Sequence, residues 1–286
     1  RENREKPGLT AQRLLYIQTL AKLSNADLEG DFLGSEEIKF YPGEINRGPS
    51  SVNVKIETAG SITLILQTLI PPALFAHSTG SGQAHSINSG QASQPIKIIF
   101  EGGATDTFFS PTIDYFRYVF LKILEKMGGK VEIDIMKRGY YPEGGAKAEV
   151  TVYPSKLKVL HLTERGKFVK ITAISGASES LKDPEGSRLG GTYGAGKKVA
   201  ERQMAGVREV LRRFNLPIEE RVEYYSTQCP GSQICLIGEF ENTVIGTDNL
   251  GKLGKRAEDV GKEAALELLN EQKTNACLDK YLASQI

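Results

Sequence analysis

Apolar residues recur along the chain at two periods. A helix-like apolar period, mostly of three to four residues, runs through Leu14, Ile17, Leu20 and Leu23; Ile113, Phe116, Phe120, Ile123 and Met127; Val199, Met204, Val207, Val210 and Leu211; and Val260, Ala264 and Leu268. That spacing lines one face of a helix, so each of these segments is predicted helical. Alternation and short apolar runs predict strands at 37–41, 52–57, 96–100, 131–136, 147–153, 167–173, 221–226 and 233–239. Helices and strands interleave throughout, which gives an α/β class of the α+β type. The runs at 131–136 and 147–153 read as an antiparallel pair, and such pairs argue against a purely parallel Rossmann sheet.

The connection between those two runs is the most specific stretch of the chain: Lys137-Arg138-Gly139-Tyr140-Tyr141-Pro142-Glu143-Gly144-Gly145-Ala146. Glycines there allow backbone angles that side chains forbid. Arg138 beside Tyr140 and Tyr141 has two readings, support of the hairpin or contact with a phosphate or base.

Composition narrows the field. A chain of 286 residues with 40% hydrophobic and 25% charged content buries a substantial core. The formal charge of +1 means that any polyanion site is a local patch. Cys229, Cys235 and Cys277 form no paired motif, and with only His77, His85 and His161 beside them a Cys/His zinc site is not expected. Few, unpatterned cysteines fit a reducing, cytoplasmic setting. The longest apolar run, 62–76, is broken by Thr63, Gln67, Thr68 and Pro71-Pro72 and is too short to span a bilayer, so no membrane partner is expected. Two stretches, 77–95 and 178–196, are rich in small and polar residues and read as exposed insertions. The glycine-rich run at 190–198 lacks the spacing and the hydroxyl of a phosphate-binding loop.

The 138–146 motif resembles the signature of the RNA 3'-terminal phosphate cyclase family, Arg-Gly-x-x-Pro-x-Gly-Gly-Gly-x-aliphatic. Ala146 stands at the third glycine and Ala148 at the aliphatic position. Further segments resemble the family in order. They are Arg1-x-x-Arg4-x-x-Pro7-Gly8-Leu9-x-x-Gln12, Ala59-Gly60-Ser61 with Gln67, Gly103-Ala104-Thr105-Asp106, Pro111 to Tyr115, Ala200-Glu201-Arg202-Gln203, Pro230-Gly231-Ser232 and Tyr281-Leu282-Ala283-Ser284-Gln285. The resemblance implies a large domain of repeated units, two helices on a four-stranded sheet, with a smaller α/β domain inserted. On that basis residues 1–165 and 274–286 are expected to form the large domain and 166–273 the insert, with the boundary near Glu164-Arg165-Gly166.

The implied reaction turns an RNA 3'-phosphate end into a 2',3'-cyclic phosphodiester with ATP and a divalent metal, Mg or Mn. In the family a histidine becomes adenylylated, AMP passes to the RNA phosphate, and the neighbouring 2'-hydroxyl displaces it. The family's nucleophile lies beyond Ile286 and its metal-contacting glutamate before Arg1, so a chain opening on Arg1 is expected to be a fragment or processed form. No catalytic residue is assigned within it, and the chain alone is expected not to form the adenylate. By resemblance, Gln67 and the box Tyr281, Leu282, Ala283, Ser284 and Gln285 contact ATP. For Gln67 the other reading is a solvent-facing helix position, and for the box it is helix packing. Tyr281 and Gln285, four apart, are expected on one helical face. Ser284 replaces the usual aspartate. Asp106 either lines the cleft or forms a turn, and Pro111 either touches ATP or starts the following helix. Arg1, Arg4 and Gln12 are candidates for RNA contact or for solvated positions. The alternative function is a cyclase-like protein without cyclase activity that works in small-ribosomal-subunit assembly.

Overall fold

The computed structural model describes residues 7–43, 50–76, 94–182, 198–214 and 216–285. Arg1, Arg4, His77, His85 and the glycine-rich run 190–197 lie outside the described residues.

The chain opens with α1 (Ala11–Ser24) and a short pair, β1 (Asp27–Glu29) with β2 (Lys39–Tyr41). Next come β3 (Ser51–Ser61), α2 (Ile62–Leu74), β4 (Ile96–Ala104), a helical stretch from Ile113 to Lys126, β5 (Lys130–Lys137) and β6 (Lys147–Tyr153). Their sheet runs β3-β4-β6-β5, with β3 and β4 parallel through α2 and β5 and β6 an antiparallel hairpin. Alternation sets the register: Val131 faces Val152, Ile133 faces Val150, and Ile135 faces Ala148. Ala148, Val150 and Val152 turn into the core.

A second sheet follows from β7 (Phe168–Ser178), α5 (Val199–Leu211), β8 (Ile218–Tyr225), β9 (Ser232–Phe240), β10 (Val244–Leu250) and α6 (Ala257–Lys273). Its order is β10-β9-β7-β8, again a parallel pair joined through a helix beside an antiparallel hairpin. Helices α5 and α6 cover one face, where Ile171, Ala173, Ile234 and Leu236 meet Met204, Val207, Val260 and Leu268. The two helices touch backbone to backbone. A Cβ on Gly261 would lie 1.9 Å from the Gln203 carbonyl oxygen, and one on Gly206 would lie 2.0 Å from that of Glu258.

The opposite face of the second sheet joins the first core, for Ile174, Cys235 and Ile237 pack with Phe116, Val119 and Phe120. The stretch 113–126 therefore lies between two sheets. It begins as α3 (Ile113–Tyr115), widens to a π turn over Phe116–Phe120 and ends as α4 (Leu121–Lys126). The Leu121 amide reaches back to the Phe116 carbonyl, and the Phe116 and Phe120 rings stack 4.6 Å apart. Each such ring, removed from water, contributes about 1.5–3 kcal/mol. One helix serving two cores explains why this segment is apolar on more than one face.

Three expectations change. Strands β1 and β10 carry too weak an alternation to have been read, whereas β2 falls within the run expected at 37–41. The 113–127 periodicity does not form one α-helix, because the π turn inserts a residue. The stretch at 178–196 begins later than its composition suggests, since Ser178 closes β7 and is buried.

Candidate active site at the crest of the first sheet

Four segments converge at one end of the first sheet: the end of β3, the end of β4, the 137–146 connection, and the 226–232 connection of the second sheet. The contact is backbone on backbone. Gly144 has φ +73°, and a Cβ there would lie 2.6 Å from the Gly103 carbonyl oxygen. The amides of Thr105 and Asp106 donate to the Gly139 carbonyl at 3.0 and 3.2 Å. Ala146 is buried, its amide donates to the Gly103 carbonyl at 3.1 Å, and its carbonyl accepts from Gly102 at 2.8 Å. Positive φ falls on Gly144 and Gly145 but not on Ala146. A small side chain is therefore enough at the third position of the glycine run.

This packing drives Arg138 inward, where it is 5% exposed. Its Nη1 donates to Asp106 Oδ2 at 3.1 Å and its Nη2 to Asp114 Oδ1 at 2.6 Å. Its guanidinium lies 4.5 Å from the centre of the Tyr225 ring. The Gln233 amide completes the enclosure, with its oxygen accepting from Arg138 Nη1 at 3.0 Å and its nitrogen donating to the Gly176 carbonyl at 3.0 Å and to the Tyr140 hydroxyl. Burial alone would lower the Arg138 pKa, and the Asp114 and Asp106 carboxylates more than reverse it, so the cation persists. Burial pushes the Asp106 carboxyl up, against the pull of Arg138, with Asp114 adding to the rise. Of the two readings of Arg138, hairpin support is the one this geometry favours, because its donors are spent on carboxylates and an amide.

Asp106 does two things. It lines a cleft and, with Oδ1, accepts the Ile113 amide at 3.3 Å. Pro111 does not open the helix, because Thr112 is the N-cap and its hydroxyl accepts from the Tyr115 amide at 3.2 Å. The Pro111 carbonyl instead accepts from Thr63 Oγ1 at 2.9 Å, which joins this turn to the start of α2. Ser61 caps α2 by accepting from the Leu64 amide at 3.2 Å. Gln12 lies beside that start, 3.6 Å from a Cβ built on Gly60, and bonds to Tyr16. Gln67 is half-buried on α2 and makes no side-chain hydrogen bond among the described residues. Pro71 carries no amide for the Gln67 carbonyl four residues before it.

The 281–285 box is not a helical face. Leu282–Ser284 form a single 3-10 turn, capped at its start by Asp279. Its Oδ1 accepts the amides of Tyr281 and Leu282 at 3.1 and 3.0 Å and the Tyr115 hydroxyl at 2.6 Å. Its Oδ2 accepts the Gly246 amide at 2.9 Å. At three residues per turn, positions four apart lie about 120° apart around the axis, so Tyr281 and Gln285 do not share a face. Leu282 is buried, Tyr281 bonds to Glu267 at 3.1 Å, and the Ser284 hydroxyl donates to the Tyr281 carbonyl at 2.7 Å. Gln285 Oε1 is buried without a hydrogen-bond partner among the described residues. Nearby, Arg165 donates to the carbonyls of Glu271 at 2.9 Å, Gln272 at 3.0 Å, and Ala276. That clamps the start of the second sheet's segment to its end.

The structure thus joins Asp106 to Arg138, Pro111 to the start of α2, and the 281–285 box to Tyr115. It makes no hydrogen bond between Gln67 and the box among the described residues. His161 is exposed. Sequence reasoning passed over Asp114, Tyr225, Gln233, Asp248 and Asp279 as site residues. Gln233, a lone amide entering the apolar run 234–237, carried the same signal that singled out Gln67. Asp248 Oδ2 accepts the Thr112 amide at 2.6 Å, and enclosure pushes its carboxyl up to about 6.

Two parallel-pair-and-hairpin sheets sharing one central helix, with a buried cation between two carboxylates where they meet, define a two-unit α/β protein. The sequence profile of the RNA 3'-terminal phosphate cyclase family matches residues 1–286. A Pyrococcus furiosus protein named RNA 3'-terminal phosphate cyclase is 39% identical over 286 residues, covering 100% of this chain and 74% of the relative. Proteins of the same name from Saccharolobus islandicus and Sulfolobus acidocaldarius are each 36% identical, covering 100% of this chain and 75% of theirs. The chain belongs to the RNA 3'-terminal phosphate cyclase family.

Proposed function

We propose that the protein carrying this chain is an ATP-dependent RNA 3'-phosphate cyclase, acting on RNA 3'-phosphate ends through enzyme-AMP and RNA-adenylate intermediates in RNA processing or repair. One observation supports the reading most. The segments whose family counterparts contact ATP converge on residues 111–115: Thr63 at the start of Gln67's helix bonds to Pro111 at 2.9 Å, and Tyr115 bonds to Asp279 under the 281–285 box at 2.6 Å. The buried, unpartnered Gln285 oxygen is an acceptor of the kind that a base amine or ribose hydroxyl satisfies. Residues 1–165 with 274–286, and 166–273, form the two domains in this reading, with Arg165 as the clasp between them.

A divalent ion belongs to the expected chemistry. Among the described residues no group of three or more His, Cys, Asp or Glu side chains is placed to hold one, and the Asp106 and Asp114 carboxylates are committed to Arg138.

The test is to incubate the protein with ATP, divalent metal and an RNA bearing a labelled 3'-phosphate. Conversion of the label to a phosphatase-resistant, cyclic form is expected. A folded full-length protein that leaves the label phosphatase-sensitive and acquires no AMP overturns the reading. That result favours the assembly-factor alternative.

A further inference from the structure

We infer that the cleft between the 106–111 turn, the 140–142 loop and the β10–α6 connection is a subsite for single-stranded RNA. It takes nucleotides upstream of the reacting 3' end, and in that respect it rests on the function proposed above. The cleft encloses about 790 Å³ and its two walls differ in chemistry.

One wall is aromatic. Phe108 is 41% exposed and Tyr141 59%, and their rings meet edge to face with centroids 6.1 Å apart. This leaves ring faces open to solvent. Phe109 next to them is fully exposed and sits at φ +64°, a region bulky side chains avoid. Single exposed apolar residues need no explanation, but consecutive aromatics at a cleft mouth mark a binding surface.

The other wall is cationic. Lys252, Lys255 and Arg256 line it, with Arg202 behind them. Among the described residues, Glu258 pairs with Arg202 at 2.8 Å and with Arg256 at 3.7 Å, and Glu263 pairs with Lys255. Asp106, the carboxylate on the aromatic side, is already paired with Arg138. The cations are gathered here although the whole chain carries a net charge of only +1.

Stacking faces opposite fixed cations are what a single strand requires: a π surface for each base and a charge for each phosphate. An apolar peptide would leave the cations unmatched, and a duplex presents no free base face. Asp106 lines this cleft and also bonds to the Ile113 amide, so the subsite adjoins the 111–115 segment assigned to the nucleotide site.

The experiment uses the full-length protein and a fluorescein-labelled oligouridylate ending in a 3'-hydroxyl, which binds but cannot be cyclised. Fluorescence anisotropy across a salt series gives affinity and slope. Phe108→Ala/Tyr141→Ala is expected to weaken binding by about 10-fold or more. Lys252→Ala/Lys255→Ala is expected to weaken it and to flatten the log–log salt slope by about 1 per cation removed. Melting curves taken alongside separate these effects from misfolding. Parental affinity and slope in both double variants overturn the subsite, as does an oligouridylate that does not bind the parent. The two readings fail separately. A parent that binds RNA through these residues yet forms no cyclic product refutes the cyclase reading alone. A parent that cyclises, with variants whose KM for long RNA is unchanged, refutes the subsite alone.

Discussion

Replacing Arg138 with methionine keeps most of the side chain's length and removes its charge. The cost follows from what remains. Asp106 is 1% exposed and Asp114 3%, and each would lose its charged partner inside the protein. Breaking a buried pair in this way costs about 3–5 kcal/mol, because a carboxylate is left without compensation. The loss should depend on pH, with a definite sign. Burial already raises the Asp106 carboxyl in the folded chain, and Arg138 opposes that rise. Without Arg138 the folded-state pKa climbs further above the unfolded value, so the folded variant binds protons more tightly than the unfolded one. Its stability therefore improves as pH falls from about 8 to about 5. Urea denaturation followed by circular dichroism at both ends of that range measures the effect. Adding Asp106→Asn and Asp114→Asn to Arg138→Met should recover part of the loss, since the unpaired charges are gone. A cost for Arg138→Met below about 1 kcal/mol, the ordinary value of an exposed pair such as Arg208–Glu220, would refute a buried-pair role for Arg138. A triple variant less stable than the single one would also refute it.

Asp248→Asn keeps the acceptor for the Thr112 amide and removes the charge. The wild-type carboxyl, raised to about 6, favours folding while protonated, so wild-type stability should fall relative to the variant as pH rises through about 6; parallel pH profiles in thermal melts would refute this. Asp279→Ala strips the acceptor from the Tyr115 hydroxyl and from the amides of Gly246, Tyr281 and Leu282, and should lower stability by about 2–4 kcal/mol and weaken ATP binding in calorimetric titration. Gly261→Ala sets a methyl group 1.9 Å from the Gln203 carbonyl oxygen and should cost about 1–3 kcal/mol by denaturant titration, although alanine is the better helix former. Gln285→Ala removes the unpartnered oxygen and should weaken ATP binding by about 10-fold while leaving the melting temperature unchanged.

The elements that pair with a regular neighbour were legible from their period. The 131–136 and 147–153 runs form a hairpin in the register their alternation implies. Helices α5 and α6 fall where the helix-period apolar positions of Val199–Leu211 and Val260–Leu268 lie. What escaped is what depends on distant partners. Asp114 gains its role from Arg138, 24 positions away, and Asp279 gains its own from Tyr115, 164 positions away. No local period records such a pairing. The motif shows the same limit: its glycines marked close backbone contact, but only the fold shows that this contact turns Arg138 away from solvent. Periodicity also misjudged the 281–285 box, because the segment closes as one 3-10 turn, in which residues four apart do not share a face.

The clasp at Arg165 bears on how such a chain is assembled and altered. One side chain holds the strand entering the second sheet against the carbonyls at the end of α6 and at Ala276, so the polypeptide leaves and returns at nearly the same point. On the domain division proposed above, the intervening hundred or so residues are a cassette with adjoining ends. Lengthening, shortening or exchanging it leaves the host's chain path in place, provided that the incoming piece brings its own ends together. The constraint on such a change is then the helix at 113–126, whose far side would have to find a new surface to cover it.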